Sequence, residues 1–190
     1  MKVVIYSILS STLSSILICV FGLMPTFALA HEPGAHVHGV ASLQVVVEDK
    51  TLTMNFSSPL DNLIGFEHKA HNQAEVAKVQ SMINQFYKKP SLFIPTKTAE
   101  CQIKTINLDS LVIKKKPEDV TKKPEHEEEA GHADLDGEFI FTCNRPENMR
   151  DLQVNLFKVF PNLHQLNVEV VSTRGQTAAK LTPENNQISW

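Results

Sequence analysis

The sequence predicts an α+β fold, an antiparallel β-rich single domain with one main amphipathic helix and a long charged surface loop. Three observations carry this. Apolar residues alternate with period two through 43–47 and again through 52–56, as half-buried strands require. A stretch beginning at Asn72 carries its apolar residues at helical spacing instead. The remaining apolar runs are short, and strands with few helices indicate an α+β or β-rich domain. No internal repeat or second core is visible.

The chain has 190 residues. Met1–Ala30 has the pattern of a signal peptide. Lys2 supplies a charged start, Val3 to Met24 is largely apolar, and Ala28-Leu29-Ala30 is a small-x-small cleavage site. A transmembrane anchor is the alternative, since the run approaches the ~20 residues a bilayer needs. However, no basic stop-transfer cluster follows. Ile18 is too bulky for a lipobox before Cys19. The expected product is an exported domain, residues 31–190, in the periplasm with no membrane anchor. Losing Lys2 moves the net charge from −3 to −4. This balance gives no footing for nucleic acid and suits, without requiring, cation binding. Two of the three cysteines remain, Cys101 and Cys143. An even count in an exported chain indicates a disulfide. Buried free thiols or thiolate zinc ligands are the alternatives, and neither cysteine has a C-x-x-C neighbour.

Each element follows from its residues. His36 to Glu48 alternates, with Leu43, Val45 and Val47 on one face and His36, His38, Ser42, Gln44 and Glu48 on the other. Asp49-Lys50 makes a turn. Leu52, Met54 and Phe56 complete a β-hairpin. Ser57 to His71, punctuated by Pro59 and Gly65, is expected to be a loop. Asn72 is an N-cap with Glu75 in capping-box position. Val76, Val79, Ile83 and Phe86, with Met82, form the helical stripe, and Lys88-Lys89-Pro90 ends it. Leu92–Ile94 and Cys101 to Ile113 supply further strands. Lys114 to Glu138 is lysine-rich and then acidic, with no apolar period, and is expected to be a mobile surface loop. Phe139 to Cys143 is a short strand. Pro146 to Phe160 is expected to be a short helix bearing Leu152, Leu156 and Phe157. Leu166, Val168 and Val170 alternate as a strand, and Ala178–Leu181 and Ile188–Trp190 return after a turn at Arg174-Gly175-Gln176.

The chemistry concentrates in histidine, the commonest side-chain metal ligand. Side chains two apart on a strand leave one face about 7 Å apart, so His36 and His38 can converge on one ion such as tetrahedral zinc. H-x-H alone is equally met by a pair of exposed histidines. Glu67 and His68, in the loop after the hairpin, can fold back to complete a four-ligand set. His71 can point the same way, although a surface residue at a helix start is the preferred reading. His126 and His132, with Glu125, Glu127, Glu128, Glu129, Asp134 and Asp136, compose a soft cation trap or simply a solvated charged loop. His164, beside an apolar strand, is read as structural. No G-x-S-x-G, P-loop or H-E-x-x-H pattern occurs. Cleavage after Ala30 would free the amine of His31, leaving a copper-binding enzyme with an N-terminal histidine brace as one alternative. A structural envelope protein with incidental histidines is another.

These residues resemble the ZrgA-type periplasmic zinc-binding proteins. The resemblance lies in His36-Val37-His38-Gly39-Val40-Ala41-Ser42-Leu43 and in Ser58-Pro59-Leu60-Asp61-Asn62-Leu63-Ile64-Gly65-Phe66-Glu67-His68. It continues through Ala99-Glu100-Cys101, Phe139 to Cys143, Leu156 to Pro161 and Gly175-Gln176. It implies a non-enzymatic protein that binds Zn2+ and assists zinc import beside an ATP-driven (ABC) transporter or its solute-binding component. Members of the family carry a histidine-rich loop between the cysteine segments. Here lysine and glutamate replace most of those histidines, while His36, His38 and His68 are kept. The expected ligands are therefore His36, His38, Glu67 and His68, with His126 and His132 as secondary collectors.

Overall fold

The structure, a computed structural model, describes residues 37–88, 90–113 and 133–190. The expected signal peptide, His31, His36 and the loop histidines His126 and His132 lie outside the described residues. No helix among the described residues is long and apolar enough to cross a membrane.

Strands β1 (Val40–Glu48) and β2 (Thr51–Pro59) form the expected hairpin, with Leu43 opposite Phe56 and Val45 opposite Met54. All four of these side chains are buried. The turn places Asp49 at a positive φ of 50°, a conformation aspartate tolerates better than most residues. Of the expected loop over 57–71, residues 65–71 are loop, whereas 57–64 are mostly regular structure. β2 continues to Pro59 because Ser57 and Ser58 still pair with β5 (Asp134–Cys143), and α1 (Asp61–Ile64) follows.

Helix α2 spans Gln73–Lys88 and buries Val79, Met82 and Phe86. Asn72 Oδ1 accepts the Glu75 N–H at 3.0 Å, the cap expected from the sequence. Val76 departs from the expected stripe and is exposed. Phe86 packs against Phe56, Phe139 and Phe160 with ring centroids 5.9, 5.8 and 5.4 Å away. Phe93 joins from β3 (Phe93–Pro95), 4.8 Å from Phe139. This aromatic cluster fastens the helix to the main sheet.

β4 (Cys101–Asp109) pairs antiparallel with β5. The expected Cys101–Cys143 disulfide is present and joins residues in direct cross-strand register. β5 starts earlier than expected, so Asp134, Asp136 and Glu138 belong to a strand rather than to the charged loop. Leu135 and Phe139 alternate as buried residues on that strand, and the intervening polar residues take the other positions.

The expected helix over 146–160 is divided into a 3-10 turn at Pro146–Asn148, strand β6 (Asp151–Val154) and a single turn of helix, α3 (Leu156–Val159). Leu152 and Val154 are both buried, so the local period is two, and β6 pairs with β3 and with β9 (Gln187–Ser189). β7 (Gln165–Ser172) and β8 (Gly175–Leu181) form the last hairpin. The larger sheet runs β4-β5-β2-β1-β7-β8 and the smaller β3-β6-β9. One pairing departs from the antiparallel expectation: β1 and β7 run parallel, from Val40 opposite Gln165 to Val47 opposite Ser172.

Candidate metal centre

The residues of interest gather where β1 begins and β2 ends. His38 lies in a turn that precedes β1, not on the strand itself, which corrects the expected strand-borne H-x-H arrangement. Gly39 is the reason. Its φ of +81° breaks the extended backbone, and an added Cβ would lie 2.9 Å from Cδ2 of His164. Only glycine takes that conformation without strain beside a packed ring.

Asn62 fixes this turn. It is buried on α1, and its Oδ1 accepts the Gly39 N–H while its Nδ2 donates to Val40 O at 2.9 Å and to Ser58 Oγ at 3.1 Å. The Gly39 carbonyl accepts the His164 and Gln165 N–H groups at 2.8 and 2.9 Å. The His164 backbone therefore braces the turn, and its exposed ring lies against Gly39.

Held in this way, the His38 ring stands between two carboxylates. Nδ1 is 3.1 Å from Asp61 Oδ2, and Nε2 is 3.7 Å from Glu67 Oε1. An ionised carboxylate only accepts, so a proton on Nδ1 toward Asp61 would leave the lone pair of a neutral ring on Nε2. A carboxylate on the far nitrogen is the usual partner that orients a metal-binding imidazole and raises its basicity. Nε2 then faces Glu67, whose side chain is only 9% exposed. The 3.7 Å spacing exceeds a hydrogen bond. Two ligand atoms on tetrahedral zinc stand about 3.3 Å apart, so a small closure admits an ion. Gly65, at φ +81°, ends α1, and the Gly65 N–H donates to Asp61 O at 3.0 Å. That reversal brings Glu67 back toward His38.

Next along the chain, His68 does not share a three-ligand group with His38 among the described residues. It meets His71 and Glu75, and one ligand atom from each of the three lies within 4.8 Å of the others. Phe66, His68 and His71 stack in sequence, with centroids 4.9 and 4.5 Å apart. Glu75 accepts the His71 N–H at 2.7 Å and an Asn72 Nδ2–H at 3.0 Å. The His71 N–H holds the Glu75 carboxyl below the usual carboxylate range, opposed by desolvation and aided by the Asn72 side chain and the nearby histidine rings.

His36, His126 and His132 are outside the described residues, which resume at Ala133. Ala133 N–H donates to Glu67 O at 3.1 Å, and Ala133 O accepts the Leu60 N–H at 2.9 Å. Sequence reasoning missed Asp61 and Asn62, which hold the His38 ring and its turn. Their signal was two polar side chains among Leu60, Leu63 and Ile64, where an all-apolar turn would otherwise be expected.

The profile of the family described as "ZrgA family zinc uptake protein" matches residues 35–190. No curated protein matches the chain.

Proposed function

This chain belongs to the ZrgA family of zinc uptake proteins, and on that premise we propose that it is a periplasmic zinc binder that passes its ion to an ATP-driven importer. The observation that carries this reading is the His38 ring, with Nδ1 against Asp61 and Nε2 facing the half-buried Glu67. In this proposal His38 Nε2 and Glu67 are ligands and Asp61 orients the ring. His36, two residues before His38, completes the set with solvent at the fourth position, since His68 gathers with His71 and Glu75 instead. His126 and His132 act as collectors on a segment whose return point is hydrogen-bonded to Glu67. The imidazole and carboxylate donors suit zinc, and the two carboxylates balance its charge. The protein carries zinc as cargo, and no residue is assigned a catalytic role.

Zinc titration against a chromophoric competitor tests this. His38→Ala should weaken the tightest site by about 100-fold or more, because a ligand counts for at least as much as an outer partner. Asp61→Asn, which preserves size but disturbs the ring's tautomer, should cost roughly 10–100-fold. Unchanged affinity in His38→Ala would rule out the site.

Acid should release the metal. Imidazoles ligate only when unprotonated, so lowering the pH favours the free protein and bound zinc should fall away below about pH 6. Retention of a full equivalent at pH 5 in equilibrium dialysis would show that carboxylates, not imidazoles, hold the ion.

A further inference from the structure

We propose that His68, His71 and Glu75 form a second, solvent-exposed zinc site at the start of α2, weaker than the His38–Glu67 site and in faster exchange with solution. The inference relies on the zinc reading above only for the identity of the ion.

Three features prepare the site. The ligand atoms already lie within 4.8 Å of one another. The rings are held in place: His68 lies between Phe66 and His71, and its Nδ1 is 2.9 Å from Lys69 O. A carbonyl only accepts, so Nδ1 bears the proton and Nε2 keeps the lone pair. Glu75 is oriented by its capping bonds to His71 N–H and Asn72. A carboxylate oxygen has capacity beyond one hydrogen bond, so the cap and a metal can share it.

Two features make the site weak. His68 and His71 are exposed, so water competes for the ion and screens the Glu75 charge. The site also sits at the positive end of a 16-residue helix, where a cation is disfavoured and only the Glu75 charge compensates. Three protein ligands leave a fourth position to water, the open coordination found where an ion must still react or move. Because Glu67 and His68 are consecutive, one short loop serves both sites.

The test is a zinc titration of the full mature protein and four variants, followed by calorimetry and by ring-nitrogen NMR. Wild type should show a tight and a weak phase, with His68 and His71 ring nitrogens shifting in the weak one. His71→Ala should weaken that phase at least tenfold and leave the tight phase intact. Glu75→Gln keeps an oxygen to accept the capping N–H, so the helix should melt as in wild type while the weak phase is lost. His38→Ala should do the reverse, removing the tight phase alone. A double variant, His126→Ala with His132→Ala, should retain the weak phase. If the weak phase survives both His71→Ala and Glu75→Gln, or vanishes in the loop double variant, the proposal is overturned. Failure of the principal site would show instead as an unchanged tight phase in His38→Ala.

Discussion

Asn62→Ala is expected to destabilise the protein by about 2–4 kcal/mol and to weaken zinc binding at His38 in the same variant. Asn62 is 1% exposed and bonds the Gly39 N–H, the Val40 carbonyl and the Ser58 hydroxyl. Truncation strands these groups where water does not replace the lost partner, at roughly 1–3 kcal/mol for each one left unsatisfied. Urea denaturation should show the loss as a lower midpoint with an unchanged slope. The melting temperature should fall by on the order of 10 °C for a domain of this size. The second effect follows from the first by geometry. Once Gly39 is no longer tied to α1, His38 is no longer presented to Asp61 and Glu67. Asn62→Asp separates the contributions, since it keeps the acceptor for Gly39 and loses the donor to Val40 and Ser58. A stability loss below 1 kcal/mol in Asn62→Ala would show that the turn holds itself.

Removing the disulfide should have the other large effect, with the opposite division between stability and binding. The bridged residues are separated by 42 positions, and closing a ring of that size corresponds to about 4 kcal/mol in the chain-entropy model. Cys101→Ala with Cys143→Ala should therefore shift the denaturation midpoint strongly. The folded fraction should still bind zinc with wild-type affinity. Cys143 N–H donates to Lys50 O at the turn of the β1–β2 hairpin, whereas His38 lies at the other end of β1. Nine residues of strand, about 30 Å, separate the two. Equal stability with and without reductant would mean that the strand pairing alone fixes these segments.

The parts of the fold that were legible in the sequence are those where one local period decides the structure. Leu43, Val45, Leu52, Met54 and Phe56 alternate without interruption, and Asn72 with Glu75 announces the helix by a specific pair of hydrogen bonds. The segment 146–160 was not legible because Leu152, Val154, Leu156 and Phe157 fit either period over so few residues. Its strand is selected by β3 and β9, which are distant in sequence. The parallel β1–β7 pairing has no local signature, since alternation is the same in either direction. At the site, histidine spacing drew attention to His38 and Glu67, but it placed His38 on a strand. The left-handed Gly39 and the buried Asn62 set its true position, and both act through contacts to residues far along the chain.

The turn that bears His38 is fastened twice, and the two fastenings differ greatly in reach. One runs to Asn62, 23 positions away. The other runs from the Gly39 carbonyl to His164 and Gln165, where β7 lies alongside β1 at a separation of 125 positions between Val40 and Gln165. Contacts that close so long a loop form after local ones, because their entropy must be surrendered before the contact is gained. His38, Asp61 and Glu67 are therefore synthesised early but held in register late, once the C-terminal hairpin has docked. A chain that stops short of β7 carries the proposed ligands without the turn that aims them. Metal capture at the proposed site is in this way conditional on a finished fold.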